Sequence, residues 1–308
     1  MRGITSLAGI ALLVTLTLSL GGCGGGGTKA STTSDGGGAA VQATVSQIAF
    51  ISLRDGYYSL YTMNPRGGGV TRLTFHRHDG DPAWSPDGQK IAFSRMGAVG
   101  WNIYTKDAAG GGLKRLTSSP VVDEDPAWSP DGQKIAFCSS RTAPNDIYTI
   151  NADGGGLKRL TSNPARDEQP AWSPDGQKIA FMSERTGGDI YTMNADGTGV
   201  KRLTFSPEHA WHPAWSPDGR SIAFARGATQ GIDDIYTMNA DGTGVTRLTF
   251  GPFRNEDPAW SPDSTKIAFS SLSPGEWDIY VVNADGTGLR RRTSGYPYNA
   301  EPSWWGPH

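Results

Sequence analysis

Six positions, each immediately before a proline, carry the side chains best suited to chemistry: Asp81, Asp125, Gln169, His212, Asp257 and Glu301. The prolines that follow them recur at spacings of 44, 44, 43, 45 and 44 residues. If every repeat delivers its residue to the same place, four carboxylates, an amide and an imidazole converge on one axis. Carboxylates gathered that closely repel one another, so a cation or a basic ligand group is the expected relief. Oxygen ligation by Asp81, Asp125, Asp257 and Glu301 suits Ca²⁺ better than Zn²⁺, so Ca²⁺ is the expected metal if one is used, and no cofactor is required. Paired carboxyl groups roughly 5 to 10 Å apart, one with a raised pKa, are also what glycosidases use. A polysaccharide lyase or glycosidase is therefore the competing expectation, although no catalytic motif marks a pair here.

Aromatic residues outside the repeat pattern fall on the same side, among them Trp101, Trp211 and Trp277, where they would stack on sugar rings or anchor a peptide. Asp79, Asp123 and Asp167, three residues before a repeat proline, are expected to be structural, bonded to backbone amides and to arginines of the strand ending each repeat. His76-x-His78 and His209-x-x-His212 belong to distant repeats, so a metal shared between them is not expected.

These residues need a frame, and the repeat supplies it. Pro-Ala-Trp recurs at Pro82, Pro126, Pro170, Pro213 and Pro258, with Pro302-Ser303-Trp304 at the end, and Ile-Ala-Phe ends at Phe50, Phe93, Phe137, Phe181, Phe224 and Phe269. Within one unit Pro126-Ala127-Trp128 begins a strand, and Ser129-Pro130-Asp131-Gly132 turns the chain, Pro presetting φ and Gly suiting the last position. Ile135 and Phe137 then share one face of a second strand while Ala136 takes the other. A third strand (146–150), the Gly-rich hairpin 151–156 and a fourth strand (157–161) complete the unit. Four short antiparallel strands cannot bury both faces alone, so the units must stack. The spacing predicts an all-β, six-bladed β-propeller over residues 46–308, each blade a four-stranded antiparallel sheet, with the C-terminal strand completing the first blade.

Composition agrees with turns rather than helices: 42 Gly and 20 Pro in 308 residues. A formal net charge of −2 gives no basic field for a polyanion, and nucleic acid is not an expected partner. Ahead of the repeats, Arg2 and the apolar stretch from Leu7 to Leu20 read as a secretory signal over residues 1–22, and Leu20-Gly21-Gly22-Cys23 resembles a bacterial lipobox with Cys23 as the lipidated residue. Residues 23–45, rich in Gly, Ser and Thr, then form a tether, and Cys138 is expected to be a small buried side chain.

The tract Trp172-Ser173-Pro174-Asp175-Gly176-Gln177-Lys178-Ile179-Ala180-Phe181, followed by Asp189-Ile190-Tyr191-Thr192-Met193-Asn194-Ala195-Asp196-Gly197, resembles the TolB-type (WD40-like) propeller repeat, and the likeness extends over the whole repeat region. Members with the full architecture also carry an N-terminal α/β domain, for which residues 24–46 have no material. The segregation of acids and aromatics onto the loop-rich face points to a non-catalytic binding module; the resemblance implies another envelope protein as its partner, with a glycan as the alternative. The chain is thus expected to be exported and membrane-anchored through Cys23, in the periplasm or at the cell surface, and monomeric.

Overall fold

The computed structural model describes residues 45–228 and 231–307, and Cys23 with the expected signal and tether lies outside them. β1 (Gln47–Ser52), β2 (Ser59–Met63) and β3 (Thr71–Arg72) form a sheet with the C-terminal β24 (Asn299–Trp305), in the order β24-β1-β2-β3. The next sheet comprises β4 (Asp79–Trp84), β5 (Lys90–Met96), β6 (Trp101–Asp107) and β7 (Lys114–Arg115). A third contains β8 (Asp123–Trp128), β9 (Lys134–Ser139), β10 (Asp146–Asn151) and β11 (Lys158–Arg159). The fourth is built from β12 (Asp167–Trp172), β13 (Lys178–Ser183), β14 (Asp189–Asn194) and β15 (Lys201–Arg202).

The remaining strands overturn the expectation of six separate four-stranded blades. β16 (His209–Trp215), β17 (Ser221–Ala228), β18 (Ile232–Asn239), β19 (Thr246–Arg247), β20 (Arg254–Trp260), β21 (Lys266–Ser273), β22 (Glu276–Asn283) and β23 (Arg290–Arg291) belong to one eight-stranded sheet. The join is a single parallel pairing of β18 with β20, Asp233 opposite Arg254. Four blades, not six, therefore stand as independent four-stranded sheets. The physical reason is local: β17 and β18 reach Ala228 and Ile232, further than their counterparts β9 and β10, and this extension brings Asp233 alongside Arg254.

Each sheet is buried on both faces. In β9, Ile135 and Phe137 pack with Ala92 and Ile103 of the preceding sheet, whereas Ala136 and Cys138 pack with Ile179 and Phe181 of the following one. The alternation of large and small residues lets neighbouring sheets interdigitate, and each motif Phe is fully buried. Cys138 is buried too, as a small apolar side chain.

The turn after each first strand ends in a residue with left-handed φ. Gly88, Gly132, Gly176 and Gly219 supply it at φ 66° to 71°, but the fifth copy has Ser264 at φ 58°. A side chain there costs about 1 kcal/mol or more. Ser264→Gly is expected to raise stability by about 1 kcal/mol in urea denaturation, because the exposed Asp218 N–H, 3.2 Å from Ser264 Oγ, can bond water instead.

Candidate functional site

The first strand of every repeat pairs with the second in broken register. The breaks fall between Gly80 and Ala83, Glu124 and Ala127, Glu168 and Ala171, Trp211 and Ala214, and Glu256 and Ala259, and β24 is interrupted between Ala300 and Ser303. Each break is a bulge holding a residue and its proline, and each such residue, Asp81, Asp125, Gln169, His212, Asp257 and Glu301, has φ between 51° and 57°. A residue before proline is already confined, and a non-glycine in the left-handed region is strained further, by about 1–3 kcal/mol each. The strain is spent at one place: these six residues and their prolines line a single cavity of about 170 Å³.

Hydrogen bonds link neighbours around this ring. Asp81 N–H donates to Glu301 Oε2 (2.7 Å), Asp125 N–H to Asp81 Oδ2 (3.4 Å) and His212 N–H to Gln169 Oε1 (2.9 Å). Ser94 Oγ donates to Asp81 Oδ2 (2.6 Å), while Ser270 Oγ accepts from Glu301 N–H (2.8 Å) and donates to Asp257 Oδ2 (2.8 Å). His212 Nδ1 lies 3.0 Å from Asp257 Oδ1, near enough for an ion pair when protonated but out of line for a hydrogen bond.

These bonds do not compensate for burial. Desolvation pushes the Asp81 carboxyl up despite Ser94 and the Asp125 amide. Burial, then the charges of Asp81, Glu124 and Glu168, drives Asp125 well above the ordinary carboxylate range. Glu301 is raised well above it as well, by burial and then by Asp81 and Asp257. Beside the ring, burial lifts Glu124 to about 8, and burial followed by the charge of Asp257 lifts Glu256 to about 7. Burial thus favours the protonated form of these carboxyls, and an arriving cation would work against that shift.

Two wider cavities open beside the ring. One, of about 370 Å³, is lined by Trp101, Tyr58, Tyr298 and Glu124 together with Asp81, Asp125 and Glu301. The other, of about 400 Å³, is lined by Trp211, His209 and Arg254 with Gln169 and His212. Trp277 lines neither; it packs 6.4 Å from the Tyr298 ring, with the Arg254 guanidinium 5.9 Å from its own.

The four carboxylates considered for Ca²⁺ share the central cavity, but the tightest donor set is a different one. Among the described residues, one nitrogen or oxygen each of His212, Glu256 and Asp257 lie within 4.8 Å of one another. Sequence reasoning passed over Glu256 in that role; its signal was an acid directly before a ring acid, one repeat after a ring histidine.

Asp79, Asp123 and Asp167 are fully buried at the side chain and paired with arginines, but not those expected. Their partners, Arg95, Arg141 and Arg185, come from the second strand or the turn beyond it (2.6 to 2.8 Å). Arginines of the short outer strands instead clamp aspartates that open the third strand, as Arg159 does with Asp146 (2.6 Å) and Arg202 with Asp189 (2.9 Å). The arginines thus fasten two-residue strands whose side chains remain largely exposed.

Among the described residues no helix is long and apolar enough to cross a membrane. A search of curated proteins found no match. Among solved structures the chain is similar to TolB from Acinetobacter baumannii, at 24% identity, 84% coverage of this chain, 66% of that one and a TM-score of 0.77. It is also similar to a TolB from Agrobacterium tumefaciens (23% identity, 83% and 91% coverage, TM-score 0.66) and to an oligogalacturonate lyase in complex with manganese (16%, 81% and 74%, TM-score 0.54). At such identities the likeness shows the fold, and the chain spans just under two thirds, 66%, of the Acinetobacter protein. The family model of the TolB beta propeller domain matches residues 81–231 and 206–307, which is most of the chain. The chain belongs to the TolB β-propeller domain family.

Proposed function

We propose that this protein is an exported, lipid-anchored, non-catalytic binding module of the cell envelope, and that its loop face receives a cationic group of a partner. The observation that carries this reading is the ring of six strained residues around one cavity, three of whose carboxyls are pushed up by burial. A lysine or arginine side chain from a protein partner would fit that charge, and Trp101 and Trp211 in the flanking cavities would pack its neighbours. Ca²⁺ held by Asp81, Asp125, Asp257 and Glu301 is the small-ion version of the same reading, and a glycan stacked on the tryptophans is the sugar version. Anchoring through Cys23, in the periplasm or at the cell surface, rests on the N-terminal sequence.

Peptide arrays test the reading. Basic peptides are expected to bind, and Asp125→Asn/Asp257→Asn to weaken them at least about tenfold, the scale of charge-assisted contacts. Equal retention of acidic peptides, or binding indifferent to the double substitution and to Trp211→Ala, contradicts it.

A second reading is favoured by one observation: Glu124, at about 8, holds its proton at neutral pH beside Asp125 and Trp101, as a glycosidase acid would. Turnover of any oligosaccharide that Glu124→Gln abolishes would establish it.

A further inference from the structure

The repeats agree closely on the residue that follows the second residue of the short outer strand: Leu73, Leu116, Leu160, Leu203 and Leu248, each packed in an inter-sheet core. The last copy has Arg292 instead, at the interface that β24 closes. The core there contains Ile48, Phe50, Met63, Ile279 and Val281 with Trp304, and no leucine. Arg292 Nε is buried without a hydrogen-bond partner, and among the described residues no carboxylate lies within ion-pairing distance of the guanidinium. Burial and the neighbouring charge of Arg290 both disfavour its ionisation. An unpaired, half-buried guanidinium where the fold otherwise uses leucine is a local loss of stability.

Arg292 lines a cavity of about 470 Å³ with Arg66, Lys266, Trp304, Pro262 and Pro307, at the opposite end of the strands from the acidic ring. The Trp304 indole is held in place by its N–H bond to Ser46 Oγ (2.7 Å). Asp263, also at the wall, has Oδ1 engaged by Ser261 and Thr265. The volume is that of a small-molecule site, and the lining combines three cationic side chains with an aromatic and proline surface.

We infer that this cavity is a second binding site, independent of the loop face, for a small organic oxyanion with an aromatic or apolar body. Arg292 takes the carboxylate or phosphate in a forked contact, and Trp304 with the prolines covers the body.

The test uses the whole protein with phenyl phosphate, benzoate and inorganic phosphate as probes, read by calorimetry and melting temperature. Phenyl phosphate or benzoate is expected to bind more tightly than inorganic phosphate and to raise the melting temperature, the stronger of the two naming phosphate or carboxylate as the preferred head group. Arg292→Leu, which restores the repeat, is expected to melt higher than wild type without ligand and to bind at least about tenfold more weakly. Arg292→Lys is expected to keep part of the affinity, and Arg292→Gln, which needs no repacking of the core, to lose it. Absence of binding by wild type, affinity no better than that of inorganic phosphate, or unchanged binding by Arg292→Gln overturns the inference. None of these readouts involves the acidic ring, so failure here leaves the proposed function standing, and the reverse holds too.

Discussion

Asp79→Ala is expected to cost about 3–5 kcal/mol of stability. The Arg95 guanidinium donates to both oxygens of Asp79, at 2.6 and 2.9 Å, and both residues are buried. Removing the carboxylate leaves Arg95 unpaired against the Phe93 and Tyr104 rings, whose centroids lie 5.0 and 5.3 Å away. Because the desolvation of both ions nearly cancels their attraction, the double replacement Asp79→Leu/Arg95→Met should recover most of the loss, to within about 1 kcal/mol of wild type. Chemical denaturation of the three variants decides it: a double variant as unstable as the single would mean that the pair is strongly stabilising in itself. Asp79 lies two residues before Asp81 on β4, so the single variant should also loosen the bulge that aims Asp81 at the axis.

The second large effect is a dependence of stability on pH. Burial raises Glu124 from the ordinary 4.5 to about 8, so between those values the folded chain holds a proton that the unfolded chain releases. Stability conferred by that proton is present at low pH and is lost as pH rises through the window, opposite in sign to an ion-paired carboxylate. Glu256, raised to about 7, adds to the slope in the same direction. Glu124→Gln should match wild type near pH 4 and exceed it near pH 8 by on the order of 3 kcal/mol, allowing for partial screening by solvent. Thermal melts across pH 4 to 8 measure this, and a wild type that grows more stable with rising pH, with Glu124→Gln parallel to it, contradicts the electrostatic account.

How far the sequence reveals such features depends on whether they repeat. The strand order within a unit, the face alternation of Ile135, Ala136 and Phe137, and the gathering of the six residues before proline follow from a period of about 44 residues. What did not repeat was not legible. The contact of Asp233 with Arg254, which fuses two groups of strands into one eight-stranded sheet, depends on where β18 and β20 begin, and the repeat does not fix those starts. The partners of Asp79 and Asp123 differ from those expected because the arginines that reach them come from the second strand, as Arg95 does, or from the turn after it, as Arg141 does, and not from the strand that ends each repeat. Left-handed backbone at residues other than glycine leaves no compositional trace, so the bulges that aim the ring appear only in three dimensions. Trp101 and Trp211 line cavities beside the ring, whereas Trp277 packs near Tyr298, a distinction that no repeat spacing carries.

The most direct test of the central claim is calorimetric titration of metal-stripped protein with Ca²⁺ and, separately, with an arginine-bearing peptide, in two buffers of different ionisation enthalpy. Displacement of protons from Asp81, Asp125 and Glu301 predicts binding heat from at least one of the two that changes with the buffer, and its loss in Asp125→Asn/Asp257→Asn. No heat from either titrant, with no shift in melting temperature, would contradict the ring as a cation-binding site.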